Sequence, residues 1–257
     1  AVGLNHNPFL VLCIMILVWL NYRGVLMTLN VNFVITALAY ASIVILFFSV
    51  QPWSQGVVLK LGDMITPSNA LPYGWIGVIA AFQFGIWYYL GIEGTTQAAE
   101  EVRSPARSLP FGTMAGMMTL LIAAALTWYV CASLLPWQQL GVTYFPLYDA
   151  ASVTGSPVLK FLLFWGTVLS AVASANGCIN DAARAWFSLG RDRYLPTWFS
   201  AVHPKYRTPY RSILFLMPIA IAFVFIADLN QAITFSILSG VLHYTFRSIN
   251  IMMFRNK

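Results

Sequence analysis

GWIGVIAAFQFGIWYYLGIEGTTQAAEEVRSPARSLP, running from Gly74 to Pro110, begins as a membrane-spanning helix and then breaks its own rules. Glu93 lies well inside the apolar stretch. A carboxylate in hydrocarbon costs about 2.5–3.5 kcal/mol even on the lenient insertion scale, so it faces a cavity or a partner. The competing reading, a snorkelling or structural carboxylate near a helix end, fits the surrounding residues less well. Gly91 and Gly94 flank Glu93, with Gly85 a turn and a half earlier. Each glycine weakens a helix by roughly 1 kcal/mol. A Gly-x-Glu-Gly cluster is therefore a place for the helix to open, and open backbone at membrane depth is tolerated only around a cavity. The freed N–H and C=O groups can then hold a solute's charged ends. Glycine alone would fit close helix packing equally well; the carboxylate between the glycines tips the reading. Trp87, Tyr88 and Tyr89 come just before the break, deeper than an interfacial aromatic belt. Trp87 can close the site and stack on a cationic amine.

The rest of the chain supplies the membrane context. Of 257 residues, 59% are hydrophobic and 9% charged, against about 25% charged in a soluble domain. So few charges cannot cover a soluble globule of this size, and a bilayer makes the remaining surface acceptable. The net charge of +6 is spread over short loops between apolar segments, which is how topology is set and not how nucleic acid is bound. Cys13, Cys131 and Cys178 lie in or near apolar runs without CxxC spacing or a histidine cluster, so neither a disulfide framework nor a metal site follows. No cofactor is implied. The first residues, AVGLNHN, lack a basic n-region and an initiating Met; the chain reads as if cut from something longer, and its first apolar run is not a signal peptide.

Seven spans are expected, at 8–22, 29–50, 73–99, 112–135, 158–183, 212–227 and 231–254. The basic residues confirm the count by their asymmetry. One set of connections and the C-terminal end hold 12 of the 14 Lys and Arg: Arg23, Arg103, Arg107, Arg184, Arg191, Arg193, Lys205, Arg207, Arg211, Arg247, Arg255 and Lys257. The other set holds Lys60 and Lys160. The first side is expected to be cytoplasmic, and the stretches near 51–72, 136–157 and 228–230 external. The basic stretch 186–210 carries Trp186, Phe187, Trp198 and Phe199, which predicts a short amphipathic helix at the interface, with an irregular cationic loop as the alternative. In the seventh span, Ser236, Ser239, Gly240, His243 and Thr245 fall at helical spacing. Hydrogen bonds between helices are the expected use of their polar groups, ahead of a titrating role for His243.

At these residues the chain resembles a known family, the amino acid–polyamine–organocation permeases. Tyr88/Tyr89, Gly91 and Glu93, followed by Ala99-Glu100-Glu101, Pro105, Arg107 and Pro110, resemble that family's sixth span and the loop after it. SAVASANGCINDAARAWFSLGRDRYLP resembles its eighth span, HPKYRTPYRS the loop before the ninth, and LNYRGV the turn between the fourth and fifth. The resemblance implies an all-α membrane protein with an inverted-repeat, LeuT-like 5+5 transporter fold. Residues 1–50 would be the last two spans of the first repeat, 51–72 an external loop, and 73–257 the five spans of the second repeat. The chain would then run from the fourth span to the tenth and lack the first, which in this family carries a second broken helix.

The resemblance also implies a substrate site made by Trp87, Tyr88, Tyr89, Gly91, Ile92, Glu93, Asn176 and Cys178, with Ser174 at its border. Trp87 would be the gating aromatic and Glu93 the coupling residue. Cys178 stands where some members place a large aromatic. The run IWYYLGIEG looks like the ethanolamine-permease branch. The expected function is secondary transport of an amino acid or small amine by alternating access, proton-coupled or by exchange, with the solute and the lipid bilayer as partners. A membrane-embedded enzyme is the rival. His6, His203 and His243 lie far apart, and no HExxH, GxSxG or paired-acid motif is present. A channel would favour rings of like residues, and none is suggested. A non-transporting membrane fragment is the remaining alternative.

Overall fold

The computed structural model describes residues 7–50, 73–97, 99–143, 145–226 and 229–255. Long helices stand at all seven expected positions. They are α1 (Asn7–Arg23), α2 (Val25–Val50), α3 (Gly74–Tyr89) continued after a break by the short α4 (Gly94–Gln97), α5 (Pro105–Leu134), α8 (Pro157–Arg191), α9 (Tyr210–Ile226) and α10 (Leu229–Arg255). Two short helices, α6 (Trp137–Leu140) and α7 (Pro146–Val153), fold back between α5 and α8. No strand occurs among the described residues. The expected external loop at 51–72 lies outside the described residues.

Among the described residues, four stretches are long and apolar enough to cross a membrane: Thr28–Ser49, Gly74–Gln97, Pro105–Leu134 and Pro157–Arg191. The helices Asn7–Arg23 and Tyr210–Ile226 are apolar but shorter. The outward faces are strongly apolar. Phe33, Trp75, Ile76 and Phe111 are 74–80% exposed. At about 25 cal/mol per Å² of apolar surface, a surface of this kind is stable against lipid and not against water.

α8 is the post around which the rest packs. It starts with Ser156 as N-cap, whose hydroxyl accepts from the Leu159 amide, and Pro157 at the first helical position. Near its N-terminal end, Leu159 and Leu163 join Leu46 of α2, Val130, Cys131 and Leu135 at the end of α5, and Ala150 and Ala151 of α7 in one buried cluster. Toward the basic end, Ala183 packs with Val18 of α1 and Ile213 of α9. Between these clusters the helices are joined by amides. Asn21 donates to the Asn176 side-chain oxygen at 2.6 Å, Asn176 donates to that of Asn32 at 2.8 Å, and Asn32 donates to the Ala173 carbonyl at 3.3 Å. Asn21 and Asn176 are buried. An apolar Asn176→Leu substitution strands two partners in the bundle. Unmade buried hydrogen bonds cost about 1–3 kcal/mol, so this variant is expected to unfold at a lower temperature in detergent. The paired Asn21→Leu/Asn176→Leu change should recover part of the loss.

Two expectations are corrected here. The stretch 186–210 contains no separate amphipathic helix. α8 runs on to Arg191 and takes Trp186 and Phe187 into its last turns; only a single 3₁₀ turn, Thr197–Ser200, follows. Pro196, Pro204 and Pro209 interrupt any further helix, and Arg193 and Arg207 adopt left-handed backbone, at φ 63° and 55°. The aromatics instead fasten the loop: Phe199 is buried, with its ring 5.1 Å from Trp186 and 5.0 Å from Phe215. In α10, the Ser239 and Thr245 hydroxyls donate to carbonyls of their own helix, those of Ser236 and Val241. Tyr244, of the same segment, makes an interhelical bond, to Glu93.

Candidate functional site

The helix beginning at Gly74 stops at Tyr89. Leu90 leaves helical geometry at φ −64° and ψ 136°, its amide donating to the Trp87 carbonyl. Gly91 follows at φ +94°, a backbone that a side chain disfavours. The chain regains helix only at Gly94, whose amide donates to the Gly91 carbonyl at 2.9 Å. Among the described residues, nothing accepts a hydrogen bond from the Ile92 or Glu93 amide. The break therefore presents free backbone donors, as the Gly-x-Glu-Gly pattern led one to expect.

Tyr244, which the sequence reading did not single out, organises this break. Its hydroxyl donates to Glu93 Oε2 at 2.6 Å and accepts from the Gly91 amide at 3.3 Å. One phenol thus holds the carboxylate and the opened backbone together, from a helix 150 residues further along the chain. The only sequence signal was a tyrosine in a span already marked by polar residues, beside His243. Glu93 is half-buried, and its carbonyl accepts from the Thr96 amide and hydroxyl at 2.8 and 2.6 Å. Thr95 continues the polar lining, donating to the Ile92 carbonyl and sharing a hydrogen bond with Thr113 of α5 at 2.7 Å.

A second carboxylate also escaped sequence reading. Asp181 of α8 rests so closely on Gly94 that a Cβ there would run into the Asp181 carboxylate. A side chain at Gly94 would have to displace the Asp181 carboxylate; the dihedral angles there are open to other residues. Cys178 precedes Asp181 by three residues and shares its helix face; it is exposed.

The remaining candidates divide. Tyr88 and Tyr89 stand edge to face at 5.5 Å, and the Tyr88 hydroxyl donates to the Leu120 carbonyl of α5 at 3.4 Å. Trp87 sits in the last turn before the break and is 44% exposed. Ser174 is exposed on α8. Asn176 is turned away from the break: its amide is engaged by Asn21 and Asn32, and at two residues from Cys178 it occupies the opposite face of α8. The structure therefore groups Gly91, Ile92, Glu93, Gly94, Cys178, Asp181 and Tyr244, and places Asn176 in the bundle core.

A cavity of about 310 Å³ lies elsewhere, between α7 and α8, lined by Phe145, Tyr148, Phe164, Thr167 and Val168. It contains no ionisable group apart from the Tyr148 phenol. Recognition of a small polar solute needs convergent polar groups, and those converge at the break.

Known transporters are similar to this chain over most of its length. The family model described as amino acid permease matches residues 4–257. An uncharacterized transporter of Rhizobium meliloti is 64% identical over 255 residues, covering 99% of this chain and 54% of that protein. The vacuolar cationic amino acid transporter 4 of Arabidopsis thaliana is 24% identical over 257 residues, covering 99% and 42%. A branched-chain amino acid permease of Bacillus subtilis is 26% identical over 200 residues, covering 77% and 41%. The chain thus spans about half the length of the curated relatives it matches.

Proposed function

The chain belongs to the amino acid permease family, a family of multi-pass membrane transporters with the LeuT-like fold and not of enzymes, and we propose that it forms part of a secondary transporter for an amino acid or a small amine. Ethanolamine is the leading candidate amine, because the run IWYYLGIEG resembles that branch of the family. The observation that carries the reading is the carboxylate at the helix break, Glu93, held by Tyr244 together with the opened backbone at Gly91. The free Ile92 and Glu93 amides suit a carboxylate or hydroxyl on the solute. Glu93 and the ring of Trp87 suit an ammonium. Transport proceeds by alternating access between the two halves of the fold, residues 1–50 closing the first inverted repeat and 73–257 forming the second. Glu93 couples the motion to a proton or to a counter-moving solute. The basic loops after α1, α4 and α8 and the C-terminus face the cytoplasm of a cell membrane.

The test is counterflow into liposomes carrying the purified intact transporter. Vesicles preloaded with unlabelled ethanolamine or an amino acid are expected to accumulate the same labelled solute transiently, and an imposed proton gradient is expected to accelerate net uptake if the coupling is to protons. No counterflow with ethanolamine or with any neutral, cationic or branched-chain amino acid would contradict the reading.

A further inference from the structure

After the break, the chain runs beside α8 and meets it at three successive points. Gly94 sits against the Asp181 carboxylate. Three residues on, the Gln97 carbonyl accepts from Arg184 Nη1 at 2.6 Å. Three further on, Glu100 Oε1 accepts from Arg191 Nη1 at 2.7 Å. On α8 the three partners fall at positions i, i+3 and i+10, one continuous stripe of the helix surface. Both strands of this ladder run toward the basic side.

Each rung has its own chemistry. The first is a steric seat, available because Gly94 has no side chain. The second caps the end of α4, where helix carbonyls lack intrahelical partners. Arg184 is fixed for this by its Nε, which donates to Asn180 Oδ1 at 3.2 Å. The third is an exposed ion pair, with side chains 47% and 70% exposed. The hydrogen bond and charge of Arg191 hold the Glu100 carboxyl below the usual carboxylate range. A depressed carboxylate pKa means that this rung is present at neutral pH and is lost only as pH falls through the lowered value.

We propose that Asp181, Arg184 and Arg191 are positioning residues that clamp the half-helix after the break onto α8, and that these rungs part when the site opens to the basic side. The clamp rests on the transport reading and deepens it. The break gives the half-helix a hinge at Gly91, and the ladder is what holds it shut beyond that hinge. The rungs grade outward from a buried-side steric contact to a water-exposed ion pair, so parting begins at the third rung, the weakest of them. An exposed pair contributes little, which lets the clamp cycle.

The experiment reads the accessibility of Cys178, on the same α8 face as Asp181. The intact transporter, with its other cysteines replaced, is reconstituted and exposed to a membrane-impermeant maleimide from one side at a time. Arg191→Glu places two like charges at the third rung and is expected to speed labelling from the basic side roughly two- to fivefold, the scale of an exposed ion pair. Labelling from the other side should not rise with it. The exchanged pair Glu100→Arg/Arg191→Glu restores the wild-type rate. Unchanged labelling in Arg191→Glu, or an exchanged pair that behaves like the single variant, would overturn the clamp. Labelling needs no transported solute, so a failure of the clamp is separable from a failure of counterflow, which would strike the transport reading instead.

Discussion

Glu93→Gln is expected to lower solute uptake roughly 10- to 150-fold and, if the coupling is to protons, to flatten its dependence on pH. The size follows from the charge at stake: a hydrogen bond from a solute ammonium to a charged carboxylate is worth about 1.5–3 kcal/mol, whereas the Tyr244 hydroxyl, which donates to Glu93 Oε2 at 2.6 Å, keeps a partner in the variant. Glutamine keeps the shape and an acceptor oxygen for Tyr244 but carries no charge and exchanges no proton. On the proposed reading, the ammonium of a solute would lose its counter-ion and the coupled motion its trigger. Tyr244→Phe is the control. It removes the donor to Glu93 and the acceptor for the Gly91 amide while leaving the carboxylate in place. That variant should bind solute more weakly yet retain a pH-dependent rate. Initial rates of uptake into liposomes over a pH series separate the two, since a purely structural Glu93 would give the same profile in both.

Gly91→Val is the second large effect. At φ +94° a β-branched side chain is strained by about 1–3 kcal/mol, which shifts the local equilibrium roughly 5- to 150-fold. No neighbouring atom obstructs a Cβ at this position, so the penalty comes from the backbone alone. The variant is expected to fold and insert, because Gly91 lies outside both buried clusters, and to lose transport through a misplaced Glu93. A thermal unfolding midpoint lowered by only a few degrees in detergent, with a collapsed uptake rate, is the expected pair of results. Gly85, inside the helical part of the same span, serves for comparison: Gly85→Ala should leave transport near the wild-type level.

Much of this was legible in the residues. Apolar length and the placement of Arg and Lys located all seven long helices. The interruption was readable too, because a buried carboxylate and clustered glycines announce a helix that cannot continue. What was hidden depended on partners far apart in sequence. Tyr244 and Asp181 meet the break from α10 and α8, and nothing local distinguishes them from other polar residues in a span. Asn176 shows the limit of such reading. Its place on the eighth family span suggested a site residue, but two residues, about 200° around the helix, separate it from Cys178, and its amide engages Asn21 and Asn32. The loop at 186–210 misled because aromatic and basic residues interleave in an amphipathic helix and in a loop pinned by its rings alike. Prolines and two left-handed arginines decided in favour of the loop.

A transported solute is expected to occupy the break between Gly91 and Gly94, and so to protect Cys178, which is exposed on the helix face beside the break. With every other cysteine of the intact transporter replaced, the rate of Cys178 alkylation is measured with and without saturating solute. Slower alkylation in the presence of a transported solute, relieved in Glu93→Gln at the same solute concentration, is the result expected here. An alkylation rate indifferent to a solute that the same protein demonstrably transports would place the site elsewhere.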